Sequence, residues 1–152
     1  MSLTMLEKEL IAVAVSVAAG CRPCTTYHVG AARKAGADDA AIQAAVAGAV
    51  CVRSDATEGM RRHALGKDPA PAACGCAPTT ELAELMALGA ALAVNCTANI
   101  ARHLEAARGL GATQERLDAV HALVAMIRSH ALKHAAAAFG SPAPEAAVAC
   151  CG

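Results

Sequence analysis

The feature that most constrains this chain is that it meets itself when shifted by 75 residues. HVGAARKAGA (28–37) lies over HLEAARGLGA (103–112), sharing His, Ala-Ala-Arg, Gly and Ala in register. LIAVAVSVAAGC (10–21) lies over LMALGAALAVNC (85–96), so Cys21 falls on Cys96. Glu9 falls on Glu84, His28 on His103, Arg53-Ser54 on Arg128-Ser129, Pro69 on Pro144 and Cys76 on Cys151. Matches spread this widely describe a tandem duplication, residues 1–76 and 77–152. With 152 residues the chain is long enough for one well-buried domain and too short for two ordinary ones. Both copies are therefore expected in a single domain.

Each copy reads as helices. The chain has one Tyr, one Phe and no Trp, so its core must be built from small aliphatic side chains and Met. Alanine, the best helix former, dominates. Thr4 with Glu7 is a capping-box signature opening a helix to about Ala19, and Gly20 ends it. Pro23 suits the first turn of a second helix running to the Lys34–Gly36 break. Asp38 or Asp39 caps a third helix over 40–52, and a short fourth is expected over 56–65. GKDPAPAACGCAPTT (66–80) is a Pro/Gly loop joining the copies. The second copy repeats the pattern, with Thr79 or Thr80 as cap, a long last helix over about 114–139, and a tail. The expected class is all-α.

Thirteen basic residues balance thirteen acidic ones with no basic stripe, so nucleic acid is not an expected partner. LIAVAVSVAAGC imitates the apolar stretch and small-residue box of a bacterial lipoprotein signal. The preceding MSLTMLEKEL carries two glutamates and one lysine where a signal needs net positive charge. The stretch is too short to span a bilayer, and its counterpart recurs inside the chain, which a signal peptide would not do. A cytoplasmic protein without a membrane partner is expected.

GCRPCTTYHVG (20–30) carries the chemistry. Cys21, Cys24 and His28 stand at i, i+3 and i+7, on one side of the opening turns of the second helix. Free N–H groups and the helix dipole stabilise a thiolate there, and the pair has a spacing that can close a disulfide. His28, one turn beyond Cys24, is placed to take its proton, which makes Cys24 the candidate attacking thiol and Cys21 the resolving one. Glu9 lies within the apolar stripe of the first helix, where an unpaired carboxylate would be costly. An antiparallel hairpin about Gly20 returns it to the level of His28, where it can orient the imidazole. Two readings compete: buried cysteines that merely pack, and a structural zinc site, which wants four ligands where this motif supplies three.

Glu, eleven residues, C-x-x-C, three residues, His, then a short helix and a Gly-Ala break resembles the AhpD-like alkylhydroperoxidase and carboxymuconolactone decarboxylase family. The likeness covers most of both copies outside the cysteine-bearing tails. It implies an all-helical, homo-oligomeric protein, often a trimer when each chain holds two repeats. Its AhpD branch reduces peroxides through the cysteine pair, with electrons from an external lipoyl- or thioredoxin-like dithiol. The Glu, two Cys and His of that branch match Glu9, Cys21, Cys24 and His28. The decarboxylase branch lacks the pair, so the thiols favour redox chemistry, with a peroxide or a disulfide as substrate. This chain departs from the pattern in two places. The second copy reads Glu84, Cys96, Asn99 and His103, without the second thiol, and Arg22-Pro23 puts no histidine between the cysteines.

No nucleotide or haem signature is present, and no cofactor is expected. Cys74, Cys76, Cys150 and Cys151 lie in the Pro-rich tails and are not explained by the resemblance. Such pairs suit electron relay or a soft metal or metalloid ion, so a thiophilic-ion-binding protein is the alternative reading. His130 and His134 share a helix face one turn apart, with no third ligand apparent in sequence. Met5, Met86 and Met126 read as core residues.

Overall fold

In the computed structural model, residues 2–67 and 80–140 are described. They form α1 (Met5–Ala19), α2 (Arg22–Lys34), α3 (Asp39–Ala64), α4 (Glu81–Ala93), α5 (Thr97–Gly109) and α6 (Gln114–Gly140), with no strand among them. The fold is all-α. Cys74, Cys76, Cys150 and Cys151 lie outside the described residues. No described helix is long and apolar enough to cross a membrane.

The helix ends follow from their local chemistry. At α1, Glu7 N–H donates to Thr4 Oγ1 at 3.2 Å, and Thr4 N–H donates to the Glu7 carboxylate at 2.8 Å. This capping box satisfies two donors that the first turn leaves open. Gly20 ends α1 with φ 72°, and Asn95, its counterpart after α4, adopts φ 57°. Asn is among the few non-glycine residues that tolerate this left-handed region. Arg53 donates to the Ala18 carbonyl at 2.9 Å, supplying from α3 the cation that the last turn of α1 lacks.

Helix α3 corrects the expectation of two helices over 40–52 and 56–65, because it runs unbroken for 26 residues. Ser54 and Asp55 are cap-type residues, but no Gly or Pro breaks the chain there. Thr57 Oγ1 donates back to the Arg53 carbonyl at 2.9 Å instead of capping a new start. Val52 and Ala56, four apart, continue one buried face through the expected gap.

Helices α1 and α4 form the centre of the molecule and pack most extensively against each other. Leu10 to Ser16 and Ala18 of α1 are all buried, the pattern of a helix enclosed on every side. Around this pair lie α2 and α3 beside α1, α3 and α5 beside α4, and α6 against both. The close approach depends on Gly89: a Cβ there would stand 2.9 Å from Val15 Cγ2 and 3.3 Å from Ile11 Cγ2. Of the methionines, Met86 is half-buried against the core, whereas Met5 and Met126 are exposed and are not core residues. A contact between α6 and α2 joins the second half of the chain to the thiol-bearing helix of the first.

Arg116 of α6 clamps both central helices, 2.7 Å from Glu7 Oε1 and 2.6 Å from Glu81 Oε1. The hydrogen bond from Arg116 holds the Glu7 carboxyl below its ordinary value of 4.5, with the Thr4 hydrogen bonds adding to the effect. A depressed folded-state value means the carboxylate stabilises the fold above the ordinary value and loses that contribution as pH falls through the folded one. Glu7→Gln is therefore expected to cost about 1–3 kcal/mol at neutral pH. Urea titrations at about pH 7 and about pH 3 should show the difference between variant and wild type shrinking at the lower pH. A pH-independent difference would mean the charge contributes nothing.

Candidate functional site

The site is built on the hairpin that α1 and α2 make about Gly20. Cys21 is the N-cap of α2, with extended backbone, and its sulfur accepts the Cys24 N–H at 3.3 Å. Pro23 sits in the first turn, where a missing N–H costs nothing. One turn of helix brings Cys24 over Cys21; their Cα atoms are 5.3 Å apart and the pair is closed as a disulfide. Both cysteines are buried.

One further turn along α2 stands His28, also buried, and its Nδ1 lies 2.8 Å from Glu9 Oε2 of α1. With Nδ1–H donating to this carboxylate, a neutral imidazole keeps Nε2 as an acceptor. Tyr27 meets the His28 ring edge-on at a centroid distance of 5.0 Å. The structure thus brings Glu9, Cys21, Cys24 and His28 into one cluster.

Cys24, Tyr27 and His28 form one wall of a cleft of about 480 Å³, which Cys21 does not line. Helix α6 supplies the opposite wall with Met126, Ile127, His130 and His134. The sulfurs of Cys21 and Cys24 and a ring nitrogen of His134 all lie within 4.8 Å of one another. The sequence showed His130 and His134 on one face but not what faces them. The facing group is the thiol pair of the other half, more than a hundred residues earlier.

The second half has a matching cleft of about 790 Å³, where Cys96 and Asn99 of α5 face Asp55 and Gly59 of α3. Asp55 and Gly59 stand 75 residues before His130 and His134. Glu84 and His103 repeat the carboxylate–imidazole contact at 2.8 Å, more deeply buried than Glu9 and His28. Cys96 caps α5 but is a free thiol, because Asn99 occupies the position of the second cysteine. The Asn99 side chain is fully buried, and neither its amide oxygen nor its nitrogen has a partner among the described residues. The second half keeps the dyad and cannot close the disulfide.

Compared with known families, residues 2–63 match the model of the carboxymuconolactone decarboxylase family. The matched segment contains Glu9, Cys21, Cys24 and His28 and stops short of α4–α6. Neither the curated proteins nor the solved structures give a match.

Proposed function

We propose that this chain, whose residues 2–63 belong to the carboxymuconolactone decarboxylase family, is a thiol-dependent oxidoreductase that reduces a hydroperoxide or exchanges a disulfide through Cys21 and Cys24. The observation that carries this reading is that Cys24 opens onto a cleft beside His28, whose far ring nitrogen is held by Glu9 at 2.8 Å. In the reduced enzyme His28 takes the Cys24 proton, and the thiolate attacks the outer peroxide oxygen. The O–O bond breaks, the alcohol leaves with the proton, and Cys24 becomes a sulfenic acid. The Cys21 thiol displaces water from it to close the disulfide. An external dithiol of lipoyl or thioredoxin type then supplies two electrons and two protons to reopen it. For a disulfide substrate, the first step gives a mixed disulfide that Cys21 resolves in the same way.

A cleft of about 480 Å³ with mainly apolar walls suits a small organic hydroperoxide. The homo-oligomer, such as a trimer, that the family resemblance implies would have exposed Leu132 and Phe139 on α6 available to bury. The cycle calls for a reducing compartment such as the cytoplasm, where a lipoyl- or thioredoxin-like dithiol is kept reduced.

The reading is tested by reducing the protein, adding one equivalent of an organic hydroperoxide and following thiols and alcohol together. Loss of two thiols per chain, those of Cys21 and Cys24, with release of one alcohol from the hydroperoxide, is expected. Unchanged thiols with peroxide remaining would overturn the peroxidase reading, and the same outcome with a disulfide substrate would overturn the redox reading.

Glu9 touches no substrate and acts as a positioning residue. Glu9→Gln keeps the shape and removes the charge facing His28. It is expected to slow Cys24 oxidation about 10–100-fold and to alter the pH dependence of the rate, with little change in melting temperature. Equal rates and an unchanged pH profile would leave Glu9 as a structural contact only.

A further inference from the structure

The wall that α6 presents to the disulfide is rich in metal-ligating side chains that the redox cycle does not use. His134 has a ring nitrogen within 4.8 Å of both sulfurs, His130 stands one turn before it, and Met126 adds a thioether. We infer that reduction of the Cys21–Cys24 disulfide creates a site for a thiophilic d¹⁰ cation, Zn(II), held by the two thiolates of α2 and the imidazole of His134. The proposal rests on the reducible pair of the reading above but not on turnover of any peroxide.

The geometry supports it in three ways. Zinc bonds of about 2.3 Å to sulfur and about 2.0 Å to nitrogen place tetrahedral ligand atoms roughly 3.5–4 Å apart. The His134 nitrogen is therefore within about 1 Å of that spacing from the sulfurs, and the sulfurs, bonded to each other here, reach it by parting on reduction. The required movement is available, because His134 is exposed on its helix and the sulfurs separate once their bond is cut. The donor set, two cysteines and one histidine from two packed helices, leaves a fourth position open to the cleft, where water or His130 can enter. The matching positions in the second cleft are Asp55 and Gly59 facing Cys96 and Asn99, a set without the paired thiols that soft ions select.

The chemistry balances without any change at the metal. An external dithiol gives two electrons and two protons to the disulfide, and becomes a disulfide itself. Zn(II) then displaces the two thiol protons. Once the ion dissociates and the two thiols regain their protons from water, a hydroperoxide can withdraw two electrons from them; the S–S bond re-forms, alcohol and water leave, and the site is lost. Ion binding is thereby confined to the reduced protein, and a bound ion blocks attack by Cys24.

The test uses the full chain, reduced and freed of reductant under argon, titrated with Co(II) and then with Zn(II) against a chromophoric chelator. One equivalent is expected to bind, with a thiolate-to-cobalt charge-transfer band, and none in the disulfide form. His134→Ala should weaken Zn(II) binding at least about 10-fold, and circular dichroism should show the variant folded. A variant with Cys74, Cys76, Cys150 and Cys151 all changed to Ser should bind as the wild type does. The proposal is overturned if that variant loses binding while His134→Ala keeps it, or if the oxidised protein binds equally well. Neither outcome touches peroxide turnover, so the two readings fail separately.

Discussion

Cys24→Ser is expected to lower steady-state hydroperoxide or disulfide reduction by at least about 10³-fold. A serine hydroxyl in the same place is not ionised near neutral pH, and His28 cannot make it an adequate nucleophile toward peroxide oxygen. Cys21→Ser should behave differently, because in the proposed cycle Cys21, which does not line the cleft, acts only as the resolving thiol. Its reduced form should consume about one equivalent of hydroperoxide per chain and stop at a Cys24 sulfenic acid, which a dimedone-type reagent will trap. Mass spectrometry of both variants after one equivalent of hydroperoxide distinguishes the roles. If Cys24→Ser carries the trapped adduct on Cys21, the attacking and resolving thiols are exchanged and the cleft-facing position has no bearing on reactivity.

The second large effect lies far from the thiols. Gly89→Val is expected to destabilise the fold by about 3 kcal/mol or more. The new Cβ would arrive 2.9 Å from Val15 Cγ2, and both Val15 and Ile11 are fully buried and β-branched. Neither can swing aside, so α1 and α4 must separate at the point where most of the core is packed. The control is Gly48→Ala in α3, where an added Cβ meets nothing within 4 Å. That substitution should raise stability by about 0.5–1 kcal/mol, since it removes helix-interior glycine without strain. Thermal unfolding of the two variants should move in opposite directions. A Gly89→Val protein that melts with the wild type would show that the α1–α4 contact is looser than its geometry implies.

The parts of this structure that sequence made legible are those whose causes are local. Thr4 and Glu7 start α1, Gly20 ends it, and Pro23 opens α2 because each acts within one or two turns of itself. The Glu9–His28 contact was foreseeable for the same reason, since only one short hairpin separates the two residues. At Ser54 and Asp55 local preference favoured a cap, but the buried Val52–Ala56 face continues through them, and packing decided. What Met126 and His134 face was not legible, for a different reason. Nothing in α6 itself says that its middle turns face the cysteines, because that depends on a contact between α2 and α6 across the whole arrangement of helices.

Each half's long helix covers the cysteine helix of the other: α6 walls the cleft of Cys24, and α3 walls the cleft of Cys96. The two clefts are thus built alike, each roofed by a helix from the other half, but they are lined by different residues. The closed cysteine pair, His28, His130 and His134 meet at one cleft, while a single thiol, Cys96, stands with Asn99, Asp55 and Gly59 at the other. Because each cleft takes one wall from the first half of the chain and the other from the second, neither half alone would hold both walls of a cleft.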